Sequence, residues 1–178
     1  MSLTACSQDA ETTPTAATSA VTSTSSAAAS TTEPVPTDSS DKTSAAGTES
    51  KLTVVDIRVG EHDGFDRVVY EMGGTGTPGW RVKYVDAATQ EGSGKPVDIK
   101  GAAVIQVLID GSAYPFDSGV EQYSGPNPVP GVGGVVTEVN GSNVFEGVTQ
   151  SFIGVTEKQP FTVTTLSDPP RVVVDVAR

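Results

Sequence analysis

The sequence predicts an all-β sandwich of about eight strands, preceded by a disordered N-terminal tether. Three observations lead there. Residues 7–50 contain 10 Ser, 11 Thr and 9 Ala but no Leu, Ile, Phe, Trp, Tyr or Met. Such a stretch has too little apolar surface to offset the roughly 1–2 kcal/mol per residue lost on ordering a backbone. From Lys51 onward, short runs of Val, Ile, Tyr and Phe alternate with separators rich in Gly and Pro, the pattern of strands joined by turns. No segment of that part repeats its apolar residues with a helical period.

The elements follow in order. Near the start, Leu3, Thr4, Ala5 and Cys6 read as Leu, small, small, Cys, and Cys6 is the only cysteine of the chain. This resembles the lipobox of bacterial lipoproteins. The resemblance implies lipidation of Cys6, with residues 1–6 as the remnant of a lipoprotein signal. The charged and apolar parts of a signal peptide do not stand upstream, so the chain is read as beginning just before the lipobox. Residues 7–50 then form the disordered linker, and 51–178 form the folded domain. No apolar run approaches the roughly 20 residues of a membrane-spanning helix, so any membrane contact is expected through the lipid.

Within the domain the strand candidates are LTVVDIRV, FDRVVYEM, WRVKYV, AAVIQVLI, GVVTEV, NVFEGVTQSFIGV, FTVTTL and RVVVDV. Separators such as GGTGTPG, QEGSGKP and SGPNPVPGVGG carry the turns. Two runs repeat a pattern: Arg67 to Met72 and Arg171 to Val176 both read Arg, Val, Val, any residue, acid, apolar. Alternation puts Arg67 and Glu71 on one strand face, and likewise Arg171 and Asp175. The expectation is that these strands are antiparallel neighbours, with Arg67 opposite Asp175 and Arg171 opposite Glu71.

Charge narrows the partners. The folded part holds 16 acidic and 10 basic residues. No Lys/Arg cluster offsets that excess, so nucleic acid is not expected as a partner. Chemistry that needs convergent nucleophiles, bases or metals finds little material. The single histidine, His62, lies beside Glu61, Asp63 and Asp66. A turn in which His62 and Asp66 satisfy backbone groups is the favoured reading of that segment, over a metal or acid/base site. No Gly-x-Ser-x-Gly elbow occurs, and a carboxylate pair such as Glu71 and Glu146 is weak evidence in a chain with 22 acidic residues. No catalytic residue, metal or cofactor is therefore assigned.

Binding is better supported. Trp80, Val82 and Tyr84 share one strand face, with Arg81 and Lys83 on the other. That aromatic face is either core or a platform for sugar or peptide recognition. In VFEGV, Phe145 is assigned to the core, and Glu146, on the opposite face, to a pair with Arg67 or Arg171. The loop from Tyr123 to Gly134 is expected to be exposed and semi-rigid. The candidate ligand-binding set is Trp80, Tyr84, Arg67, His62, Glu146 and Arg171.

Taken together, HDGFDRVVYEM, GSGKPVDIKG, NVFEGVTQSFIGV and PFTVTTLSDPPRVVVDV resemble the AMIN-like domain of actinobacterial lipoproteins. That family is distantly related to the AMIN domain of cell-wall amidases and secretins. The resemblance runs from Leu52 to Val176. It implies an exported β-sandwich, lipid-anchored on the outer face of the cytoplasmic membrane, that binds a cell-wall glycan or an envelope protein without catalysis. A glycan-binding module predicts exposed aromatics around a groove. A partner-protein module predicts an apolar patch or an unpaired sheet edge. A cryptic hydrolase predicts a pocket that joins His62 to Asp66 or another acid. Oligomeric state is left open.

Overall fold

The computed structural model describes residues 33–178. Ten strands and one helical turn follow one another: β1 (Lys42–Ser44), β2 (Lys51–His62), β3 (Phe65–Thr75), β4 (Gly79–Val85), β5 (Ala103–Asp110), α1 (Pro115–Ser118), β6 (Val129–Pro130), β7 (Val136–Phe145), β8 (Val148–Val155), β9 (Phe161–Leu166) and β10 (Arg171–Ala177). They form two antiparallel sheets, one of six strands in the order β1-β4-β5-β8-β7-β6 and one of four in the order β2-β3-β10-β9. The all-β expectation holds. The two strands beyond the expected eight are the short β1 and β6.

The core lies between the sheets and is made by alternate residues of each strand. Val68, Tyr70 and Met72 of β3 and Val172, Val174 and Val176 of β10 meet Val82, Ile105, Val107, Ile109 and Ile153 of the six-stranded sheet. Burying each such side chain is worth roughly 1.5–3 kcal/mol. Tyr70 is fully buried, and its hydroxyl bonds Ser151 Oγ across the sandwich at 3.0 Å; burial pushes its ionisation up. A second apolar layer forms where the segment between β4 and β5 crosses the outer face of the six-stranded sheet. There Ala88, Leu108 and Phe152 are buried. Gln150 secures the crossing, donating to Thr89 O at 3.0 Å and accepting from Glu91 N at 2.8 Å.

The run NVFEGVTQSFIGV is not one strand. Glu146 and Gly147 both have positive φ, 49° and 79°, the geometry of a tight hairpin turn, and they join β7 to β8. Phe145 at that tip is 40% exposed, which corrects its assignment to the core. Its ring packs on Gly92, where a Cβ would lie 2.9 Å from a ring carbon.

Residues 33–50, expected to be part of the disordered linker, are ordered on the domain. β1 pairs with β4 through Lys42–Val82, Thr43–Arg81 and Ser44–Trp80. Upstream, Asp38 O accepts from Phe161 N at 2.9 Å. Sheet edges present unmatched N–H and C=O groups, and a polar backbone can fill them without apolar side chains. The opposite edge of the four-stranded sheet is likewise met at single points: Ala113 and Tyr123 donate backbone hydrogen bonds to Leu52 O and Val54 O of β2, both at 2.8 Å. The expected linker residues 7–32, and Cys6 with them, lie outside the described residues.

Candidate functional site

The expected pairing of the two Arg-Val-Val strands is observed. β3 and β10 are antiparallel, with Arg67 opposite Asp175 and Arg171 opposite Glu71. Continuing the register through β2 and β9 gives the outer face three rows: Gly60, Arg67, Asp175, Thr162; then Arg58, Val69, Val173, Thr164; then Asp56, Glu71, Arg171, Leu166.

In the first row Arg67 grips Asp175 in a fork, Nε to Oδ1 at 2.7 Å and Nη2 to Oδ2 at 2.8 Å. Charge-assisted forks of this kind fix direction as well as adding energy. The Asp175 hydrogen bond drives the Arg67 guanidinium above its ordinary pKa. In the third row the facing pair does not become an ion pair. Glu71 accepts instead from Arg58 Nη2 at 2.9 Å, and Arg58 also holds Asp56. Arg171 turns to carbonyls, donating to Pro169 O at 3.1 Å and Ser167 O at 3.4 Å.

Residues 33–37 lie over the first row. Glu33 Oε1 accepts from Arg67 Nη2 at 3.1 Å, and its Oε2 is 3.7 Å from His62 Nδ1. Between this strap and β9 runs a groove of about 690 Å³, lined by Pro34, Pro36, Thr162, Thr164, Leu166 and the Arg67–Asp175 pair. It combines hydroxyls that donate and accept, a fixed guanidinium, carboxylates and small apolar surfaces.

The other expected site residues go elsewhere. His62 stacks on Phe65, 5.0 Å between ring centroids and 4° from parallel, at the rim of the Arg67 row. Asp66 shares no partner with it. Asp66 is fully buried and accepts from Val136 N at 2.9 Å and from Arg178 Nε at 2.7 Å. The backbone group it satisfies therefore belongs to the opposite sheet, not to its own turn. Trp80 belongs to the core at 9% exposure, and its Nε1 donates to Thr165 Oγ1 at 3.0 Å. Tyr84 meets Phe161 edge-on and bonds Gln159 through its hydroxyl. The platform reading of this strand face is corrected: both rings point between the sheets. Glu146 on its hairpin tip pairs with neither Arg67 nor Arg171. Sequence reasoning missed Glu33, Thr162 and Thr164; only the alternation of Thr in FTVTTL signalled a polar face there.

Among the described residues, no three or more His, Cys, Asp or Glu side chains converge as metal ligands, and no helix is long and apolar enough to cross a membrane.

Beside the site, Arg178 ties the C-terminal end to Glu61 at 2.6 Å and to Asp66. The hydrogen bond from Arg178 lowers the Glu61 pKa below its ordinary value near 4.5. A depressed carboxylate contributes stability that is complete above its unfolded value and is lost as pH falls through the folded one. Amide exchange at Arg178 should therefore be the same at pH 7 and pH 5.5, relative to intrinsic rates, and accelerate only once the pH falls below 4.5. Acceleration already at pH 5.5 would contradict this.

A family model described as AMIN-like domain matches residues 52–178. No curated protein and no solved structure matches the chain.

Proposed function

Because the chain belongs to the AMIN-like domain family, whose model covers residues 52–178, we propose that it is a noncatalytic binding domain of the cell envelope whose ligand is peptidoglycan or another wall component. The observation that carries this is the groove on the outer face of the four-stranded sheet. Its volume, about 690 Å³, is in the range of ligand-binding clefts. Its lining of Thr hydroxyls, the Arg67–Asp175 fork and Leu166 suits a ligand that carries hydroxyl and amide groups on short apolar faces. In this reading Cys6 carries lipid and holds the domain at the outer face of the cytoplasmic membrane. The stretch between Cys6 and Glu33 is then the tether.

Cosedimentation with sacculi, at two salt concentrations beside an inert acidic protein, tests the reading. The expected result is saturable pelleting that soluble muropeptides compete away and that Thr164→Trp, which fills the groove, abolishes. No pelleting at either salt, or pelleting untouched by Thr164→Trp, would refute it.

A second reading, recognition of an envelope protein, is favoured by β9. It pairs with β10 only, and the sole backbone bond on its outer side that involves a described residue beyond the sheet is Phe161 N to Asp38 O. An extended partner segment could add there. Such binding would survive Thr164→Trp.

A further inference from the structure

We infer that Arg67 is the anchor of a carboxylate-binding site and that Glu33 holds this site in the free protein as a tethered stand-in for the ligand. The inference rests on the groove reading above and names the chemistry of its occupant.

A guanidinium has two edges that can each receive a carboxylate in a fork. The Nε/Nη2 edge of Arg67 is committed to Asp175. This fixes the plane of the group and turns its Nη1/Nη2 edge toward the groove. Glu33 uses that second edge with a single hydrogen bond, from Nη2 at 3.1 Å. Nη1 donates to no described residue. Among the described residues the site is therefore filled in charge but half-used in hydrogen bonding. An incoming carboxylate could engage both nitrogens where Glu33 engages one. The exchange replaces one carboxylate by another, so it leaves the local charge unchanged and creates no uncompensated anion beside Asp175. That matters in a chain with a net charge of −11.

The location of Glu33 supports its role as a placeholder. The strap lies outside the family match, whereas Arg67, Asp175 and the Thr residues of the groove lie inside it. Glu33 is held to the domain by side-chain contacts to Arg67 and His62, and the nearest backbone bond from the strap to a sheet is made at Asp38. Lifting the Glu33 end therefore breaks no sheet hydrogen bond.

Two ligand sources share this chemistry, a free peptide C-terminus and a sugar acid. The test is an amide-detected NMR titration of the full chain and of Glu33→Gln. The probes are N-acetyl-alanyl-alanine, its C-terminal amide, and glucuronate. The expected result is saturable shifts at Arg67 Nε and at the Thr162 and Thr164 amides with at least one carboxylate, and simultaneous shifts of Val35 and Thr37 in the wild-type chain. Removing a tethered competitor at millimolar effective concentration should tighten binding roughly five-fold or more in Glu33→Gln. Response to the peptide acid alone names a peptide terminus; response to glucuronate alone names a sugar acid. Equal affinity of the two proteins, equal response to the amide-capped peptide, or no saturable shift with any probe would overturn the inference. Cosedimentation of the same proteins with sacculi reports separately on the wall-binding reading, which can fail while the carboxylate site stands.

Discussion

Asp66→Ala should cost the domain about 1.5–3 kcal/mol in denaturant titration, the range for losing hydrogen bonds to a buried charged group while the exposed guanidinium of its partner returns to water. The carboxylate has no solvent exposure and joins three parts of the chain: β3, which carries it, the start of β7 through Val136 N, and the C-terminal end through Arg178. Removing it leaves a buried N–H without an acceptor and releases the guanidinium. The fold has also made room for it. A Cβ on Gly134 would lie 2.2 Å from Asp66 Oδ2, so that position is glycine because the carboxylate fills the space beside it. Asp66→Asn keeps an acceptor for Val136 and loses only the charge, and should fall between the alanine variant and wild type. If Asp66→Ala unfolds at the wild-type denaturant midpoint, the carboxylate does not join the two sheets.

Trp80→Ala should cost more, about 3–5 kcal/mol for deleting a buried Trp ring, with the indole bond to Thr165 lost as well. The same variant should leave the affinity of the folded protein for its ligand unchanged, because the ring points between the sheets and not into the groove. Stability by chemical denaturation and binding measured well below the transition separate the two effects. A variant that binds several-fold less while melting normally would return Trp80 to the recognition surface.

Much of the fold was legible because β-branched runs punctuated by Gly and Pro have one economical reading. The β3–β10 pairing was legible down to its register, since two strands with the same Arg and acid spacing match only when Arg67 meets Asp175. The face of β4 was legible as a set but not in direction: alternation says that Trp80 and Tyr84 point together, and only packing against β9 decides where. Arg171 shows the limit of reasoning in pairs. It does stand opposite Glu71, but Arg58 on β2 reaches the same carboxylate and wins it. Residues 33–50 were misread for a physical reason. Composition reports the capacity to build a core, whereas these residues are held by backbone bonds at sheet edges and by Glu33, terms to which Ser, Thr and Ala content is blind. The groove was hidden with them, because one of its walls is the strap.

The position of β10 bears on how the molecule assembles in time. It is the last strand in chain order, yet it lies between β3 and β9. Before it inserts, the β2–β3 hairpin and β9 have no common neighbour and the four-stranded sheet does not exist. The contacts that complete the sheet span about a hundred residues, as Arg67 to Asp175 illustrates. Topologies dominated by such distant pairings fold on the slow, millisecond-to-second scale. A nascent chain still missing this strand is therefore committed to no closed sandwich. The four-stranded sheet therefore closes only after Arg171–Ala177 has been synthesised, however early the β2–β3 hairpin forms.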